Sequence, residues 1–507
     1  MKSAITALLF MTAAFTSYSS DTYEEEKING MGGIEKSITN TIGPYSMGNP
    51  AGLHLEESRS SFEPSFMSTY LGERYEGGRG YDEERKGVSE STLRTGTGGG
   101  LIYKTGSSQA FMLKINYERE SFHKPDFDGE TRYADPITGS LPIEGLFSME
   151  VRPGLDIGFM CSYKNSSIDR EDNDGDETDA KESENNLTVS SGFNYAGLSP
   201  LDIGAFYSLA FYGKELDNNE RGTELYTRER DGAKNSIDLQ GIYRYGGAVT
   251  VFTGISFGYF RSDAETMRGS SKESGPDSSA LLFGISSSAF FNGLEYSARI
   301  PLTGYIGGGW SRESEDKTNT STISSFGSAV SEKKTGTGNF IIGAGLIPSP
   351  MATVGFEFEI AGSGGKDKVS KDEVDELRYS TRIGGEFALG PLALRMGFNN
   401  ALISSDNEIS DPGPGDTLLM NQNTVNDTST LIIGKEFVRR EISAGAGFQL
   451  SPNVTINGYF AYPWTLRGEE TYSWDTELPD NNKWINKDYT EYIKNGYRFG
   501  ISADISL

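Results

Sequence analysis

From Ser61 to Leu507, apolar side chains recur at every second position, in segments that alternate short turns with long polar connections. Successive side chains on a strand point to opposite faces, so each segment has one apolar face and one face of another kind. Val354, Phe356, Phe358 and Ile360 alternate with Gly355, Glu357 and Glu359, and Leu392, Leu394, Met396 and Phe398 alternate with Ala393, Arg395 and Gly397. Glutamates and an arginine on the second face mean that it is wet. In residues 201–211 the same dyad runs through Leu201, Ile203, Ala205, Tyr207, Leu209 and Phe211, with Phe206 as an exception on the other face. The chain ends the same way, with Tyr497, Phe499, Ile501, Ala503, Ile505 and Leu507 alternating with Arg498, Gly500, Ser502, Asp504 and Ser506.

The connections decide between a soluble sandwich and a membrane barrel. Tight turns are expected at 105–108, 152–154, 197–200, 245–247, 292–293, 348–350, 390–391 and 451–453, each rich in Gly, Pro, Asn or Ser. Between them lie long polar stretches, among them 122–146, 165–184, 215–233 and 403–427. So many long loops are foreign to a compact soluble domain. Short turns at one end and long loops at the other are what an outer-membrane barrel shows, and closure leaves no strand edge in lipid. No segment supplies the roughly 18 consecutive apolar residues of a membrane helix. The segments number about eighteen. The fold class expected is therefore all-β, a transmembrane antiparallel β-barrel over residues 62–507.

Residues 1–20 have the layout of a secretory signal peptide, Lys2 followed by an apolar core from Ala4 to Phe15, too short to span a bilayer. Residues 21–61 match neither the signal nor the strands, and are expected to form an N-terminal plug, or hatch. Glycines 30, 32 and 33 and the run Gly48-Asn49-Pro50-Ala51-Gly52 force turns there, since Pro50 fixes its own φ and pushes Asn49 out of the helical region.

The Met-Gly-Gly opening at 31–33 and the Asn49-Pro50-Ala51-Gly52-Leu53 motif just before the first strand resemble the N-terminal region of FadL/TodX-type outer-membrane transporters of hydrophobic compounds. That resemblance implies a barrel of fourteen strands, against the eighteen counted from the residues, so the range is 14 to 18. It implies a hatch held in the barrel by Asn49, Pro50, Ala51 and Gly52, and passive uptake of hydrophobic small molecules such as long-chain fatty acids. It also implies a strand kink that opens a lateral exit. Pro301 is the candidate for such a kink or for a simple bulge, with Gly98-Gly99-Gly100 its rival, because a proline inside a closed sheet removes a ladder bond. Other readings remain open: a structural or secretion-accessory barrel that binds protein partners, or a general diffusion porin.

The implied location is the cell outer membrane, with outer-membrane lipid, lipopolysaccharide, a hydrophobic solute and the barrel-assembly machinery as partners. The closing strand resembles the signal that this machinery reads, with Leu507 where Phe is commonest. A formal net charge of −26 argues against nucleic acid, which requires basic patches. One cysteine and two histidines leave almost no material for a metal or Cys/His catalytic site, so no cofactor, no metal and no enzyme activity are expected. Residues 165–184 carry nine acidic and two basic side chains, but fail the EF-hand spacing and are read as a solvated loop. Tyrosines and tryptophans at strand ends, including Tyr70, Tyr117, Tyr163, Tyr305, Trp310, Tyr459 and Tyr462, are expected to form aromatic girdles.

Overall fold

In the computed structural model, the described residues are 31, 34, 36, 45–56, 60–79, 89–123, 137–170, 178–220, 223–246, 248–268, 271–274, 277–296, 300–318, 331–349, 351–367, 372–410, 430–477 and 483–507. The signal expected at 1–20 lies outside them. Strands make up nearly all of the rest: β1 (Ser61–Arg79), β2 (Ser89–Thr105), β3 (Gln109–His123), β4 (Ile137–Arg152), β5 (Leu155–Arg170), β6 (Thr178–Leu198), β7 (Leu201–Glu220), β8 (Thr223–Tyr245), β9 (Val249–Arg268), β10 (Ser271–Ser274), β11 (Asp277–Tyr296), β12 (Ile300–Thr318), β13 (Ser331–Ser349), β14 (Ala352–Asp367), β15 (Glu373–Leu389), β16 (Leu392–Ser410), β17 (Thr430–Ser451), β18 (Val454–Glu477) and β19 (Lys483–Ser506). β10 is a four-residue extension paired only with β9, so the wall has eighteen strands. Each pairs antiparallel with its sequence neighbour, and β1 pairs with β19 to close the ring. The eighteen counted from the alternation hold, and the fourteen implied by the resemblance do not.

The barrel is inside-out relative to a soluble protein. Val354, Phe356, Leu394, Met396, Phe159, Phe211 and Ile501 are exposed on the outer surface, while Glu357, Arg395, Glu441 and Asp504 are buried on the inner one. This is the distribution of a wall with hydrocarbon outside and polar groups inside.

The wall strands other than β10 run 15 to 24 residues, longer than the roughly 9–11 that cross a bilayer. The excess comes from stretches expected to be loops. β7 and β8 remain paired through Glu215↔Glu229 and Asn218↔Tyr226. In the acidic stretch 165–184 the β5–β6 ladder continues to Arg170↔Ala180, and only 171–177 lie outside the described residues. Backbone ladders do not need apolar side chains, so they pass beyond the apolar band without a sequence signal.

Seven of the eight expected tight turns lie between consecutive strands, and glycines 106, 154, 246 and 390 take positive φ in four of them. The exception is Asn292-Gly293, which β11 passes through with a register shift between Asn292 and Leu294; the strand ends at Tyr296. Pro301 consequently stands second in β12, paired with Glu295 on β11 but before the first pair with β13, Leu302↔Leu346. Pro301 thus has a ladder partner on the β11 side alone, and the irregularity beside it is the register shift on β11 between Asn292 and Leu294. Ladders on both sides of Gly98-Gly99-Gly100 are also continuous.

The ladder lapses at three other prolines. The β1–β19 pairing skips Glu63 and Pro64, the β3–β4 pairing skips Leu141 and Pro142, and the β18–β19 pairing skips Tyr462 and Pro463. Each of these prolines keeps its pairing on the opposite side, with Gly99, Lys164 and Glu441 respectively. An internal strand needs both sets of bonds, and a residue without N–H can serve only one.

Candidate functional site: a turn seated on the inner wall

Residues 45–56 lie against the lumen face. Pro50–Gly52 form one 3-10 turn, followed by a short helix, α1 (Leu53–Glu56). Proline at the first position suits such a turn, and Asn49 caps it by accepting a hydrogen bond from Ala51 N at 3.1 Å. Asn49 is fully buried, and its Nδ2 donates to the Phe193 carbonyl of β6 at 2.9 Å. One amide therefore both holds the turn and fastens it to the wall.

The wall is cut to receive this turn. A Cβ on Gly158 of β5 would stand 2.2 Å from Pro50 C, one on Gly192 of β6 2.3 Å from Asn49 Oδ1, and one on Gly204 of β7 2.8 Å from Asn49 Nδ2. Three strands thus present bare backbone where Asn49, Pro50 and Ala51 approach. Phe206, the exception to the β7 dyad, points inward, and a Cβ on Gly48 would meet its ring at 3.3 Å. Gly48 has φ +91°, a conformation that favours glycine.

Beyond the turn, His54 is buried between two wall side chains. Its Nδ1 lies 2.5 Å from Ser148 Oγ and its Nε2 3.1 Å from Asp156 Oδ1, which requires Nε2 to carry the proton. The Ser148 hydroxyl also contacts the Ala51 carbonyl at 3.0 Å and receives the His54 N–H at 3.2 Å. Asn194 donates to Asp156 Oδ2 at 3.2 Å, and Lys104 Nζ donates to the His54 carbonyl at 2.8 Å. The sequence gives His54 no sign of this role, because Ser148 and Asp156 stand 94 and 102 positions away.

This is a Ser-His-Asp constellation, but not one arranged for nucleophilic attack. Ser148 is fully buried and its hydroxyl is engaged by the turn. A substrate could reach it only if the turn left, and His54 would leave with it.

Apolar contacts complete the seat. Leu53 packs with Ile102, Ala110, Met112 and Leu146 on β2–β4, and Tyr45 donates to Met112 Sδ at 3.3 Å. Met47 packs on a second cluster, Ile242, Phe252, Phe290, Tyr305 and Ile341, across β8–β13, while its carbonyl accepts from Gln240 Nε2 at 2.6 Å. Tyr305 and Tyr459, expected in the girdles, instead face the lumen and are buried. Met31 and Ile34 are buried as well, and a Cβ on Gly384 of β15 would stand 2.1 Å from the Met31 carbonyl. The described N-terminal residues therefore touch the wall from β2 through β8 to β15.

Among the described residues no group of three or more His, Cys, Asp and Glu could hold a metal ion. Cys161 lies exposed on the outer face.

No family model matches the sequence, and no curated protein matches it. Solved structures align with it at low identity. The CymD monoaromatic hydrocarbon channel is 13% identical, over 95% of this chain and 96% of that one, with a TM-score of 0.35. A FadL homologue of Pseudomonas aeruginosa is 11% identical, over 94% and 97%, with a TM-score of 0.37. The copper transporter OprC is 8% identical, over 87% and 81%, with a TM-score of 0.42.

Proposed function

We propose that the chain is an outer-membrane channel for passive uptake of hydrophobic small molecules, long-chain fatty acids among them, with residues 45–56 as part of a hatch that must shift for the solute to pass. The observation that carries this reading is the pairing of the turn with an apolar inner wall. Ile242, Phe252, Phe290 and Ile341 are lumen-facing yet covered by Met47, and Ile102, Met112 and Leu146 by Leu53. A diffusion porin keeps a polar, water-filled interior. Apolar surface hidden under a movable segment serves a solute that water does not carry.

The turn is held by a few hydrogen bonds and two apolar contacts, all from one short segment. Such a segment belongs at the low-stability end of a fold, where functional motions are drawn from. The Ser148–His54–Asp156 network reads as a fastening for it. In this reading the closing strand through Leu507 is recognised by barrel-assembly machinery, and the apolar band faces outer-membrane lipid and lipopolysaccharide.

The test replaces Asn49-Pro50-Ala51 by three alanines and measures uptake of a labelled fatty acid in a transport-deficient host. Altered uptake with normal barrel assembly is expected; unchanged uptake would sink the hatch role. A large steady current from the unaltered protein in planar bilayers would favour a porin. Copurification of a stable protein partner without solute uptake would favour a structural or secretion-accessory barrel.

A further inference from the structure

The Ser148 hydroxyl has one proton to give and three contacts to satisfy. The Ala51 carbonyl, at 3.0 Å, can only accept, so the hydroxyl proton goes to it. The His54 backbone N–H, at 3.2 Å, takes one lone pair of the oxygen. His54 Nδ1 then lies 2.5 Å from an oxygen whose proton is already given, and that contact is a hydrogen bond only when Nδ1 carries a proton of its own. Nε2 faces Asp156 Oδ1 at 3.1 Å, and a carboxylate only accepts. Both ring nitrogens therefore donate. His54 meets all its partners as an imidazolium, whereas a neutral ring in either tautomer leaves one contact without a proton.

The surroundings suit a positive ring. His54 and Asp156 are both buried, so each charge answers the other where water cannot. Glu150 of β4 stands directly across the ladder from Asp156, its Oε1 accepting from Gly154 N at 3.1 Å, so two carboxylates flank this end of the seat. Against them, Lys104 of β2 donates to the His54 carbonyl at 2.8 Å. β3 brings Ala110 and Met112 to α1, with Lys114 next on that face and Glu144 of β4 across from it. β6 brings the neutral amide of Asn194, and α1 itself carries Glu56.

We infer that His54 is a proton-operated latch, which fastens the turn when its ring holds two protons and loosens it when one is lost. On loss of the Nδ1 proton, the Ser148 hydroxyl serves either Nδ1 or the Ala51 carbonyl, and one of the bonds that tie the segment to β4 goes. The closed seat thus holds one proton more than the open one. Acid favours closure and alkali opening, since the state that binds more protons loses ground as pH rises. Histidine is the side chain suited to this change between about pH 5 and about pH 8. The latch regulates the hatch proposed above and rests on that reading for its effect on passage; the proton count stands apart from it.

The chain has two histidines, so His123→Gln leaves His54 as the sole reporter. The full-length protein with that substitution and isotopically labelled histidine, in nanodiscs, is followed by the NMR shifts of its ring nitrogens from about pH 5 to about pH 8. Two protonated nitrogens are expected at the acid end and one at the alkaline end. Over the same range, hydrogen-exchange protection of residues 51–54, corrected for the intrinsic pH dependence of exchange, should fall about tenfold, while β4 and β5 stay protected. His54→Gln should abolish that dependence and keep the heat-modifiable gel migration of a folded barrel. Should it fail to assemble, Ser148→Ala carries the test, with protection low at both ends. A singly protonated ring at the acid end over a protected turn would overturn the latch and leave the hatch reading standing, as would an equal fall in His54→Gln. Current in planar bilayers tests the hatch itself and should rise as protection falls. A current unchanged while protection follows the proton would overturn the hatch reading and leave the proton-bound seat.

Discussion

Gly192 shows how a missing side chain can carry a function. With only 2.3 Å between its would-be Cβ and Asn49 Oδ1, Gly192→Val has to lift the turn or push the strand. The strand is held by ladders on both sides, so the turn gives way. The expected outcome is an increased single-channel current in planar bilayers, with unchanged gel migration of the folded barrel. The same scale governs His54. Replacing Asp156 by Ala removes the carboxylate that accepts from Nε2 and from Asn194 Nδ2, and His54→Ala leaves Ser148 and Asp156 facing an empty space. A buried polar group deprived of its partner costs about 1–3 kcal/mol, and that loss falls on the seat of the turn and not on the barrel. Hydrogen exchange at residues 45–56 should accelerate in both variants while exchange in β4 and β5 stays slow. Ser148 itself, covered by the turn, should remain unlabelled when the intact protein meets a fluorophosphonate probe; labelling would show that the constellation is open to chemistry.

Among elements, the seam between the first and last strands is reinforced by side chains. Tyr70 stacks on Tyr497 with centroids 5.5 Å apart, and Phe66 meets Phe499 at 5.7 Å. These pairs flank the one closure that joins chain ends, close to the lapse at Pro64. Aromatic pairs contribute about 0.5–1.5 kcal/mol beyond area burial. A double-mutant cycle of Tyr70→Ala and Tyr497→Ala, followed by urea unfolding from vesicles, should return a coupling of that order. On β5 the alternation itself can be tested: Phe159→Arg puts a charge on the apolar band, at a cost of about 2–4 kcal/mol near the midplane, whereas Gly158, one position along, faces the lumen. Correct assembly of Phe159→Arg with unchanged stability would contradict the assigned outer face.

For the whole molecule, the barrel and its occupant are separable in energy. The wall is closed by continuous ladders from β1 to β19, and the N-terminal segment adds contacts without adding a strand. Deleting residues 31–56 while retaining residues 1–20 should therefore leave an assembled barrel. That barrel should conduct a larger steady current, because the segment touching β2, β8 and β15 is gone. Loss of assembly on deletion would mean that the segment is needed to build the wall.

The alternation fixed by the sequence was enough for the strand number, the inner and outer faces and seven of the eight tight turns, because a period of two is a local property. It also indicated a turn at Asn49-Pro50-Ala51-Gly52, since proline fixes its own φ and glycine adopts conformations that other residues avoid. It misplaced the strand tops, where polar residues sustain ladders as well as apolar ones do. It could not weigh one proline against another, because the effect of each depends on whether a neighbouring strand is present to be denied a bond, and the lapses at Pro64, Pro142 and Pro463 went unseen for that reason. What the turn rests on was decided only in three dimensions. Gly158, Gly192 and Gly204 are ordinary strand glycines until closure brings three strands beneath Asn49, and His54 acquires Ser148 and Asp156 only when the chain folds back into the lumen. Contacts between residues 94 or more positions apart have no local signature; they follow from the curvature of the closed sheet, which sets what faces what across its interior.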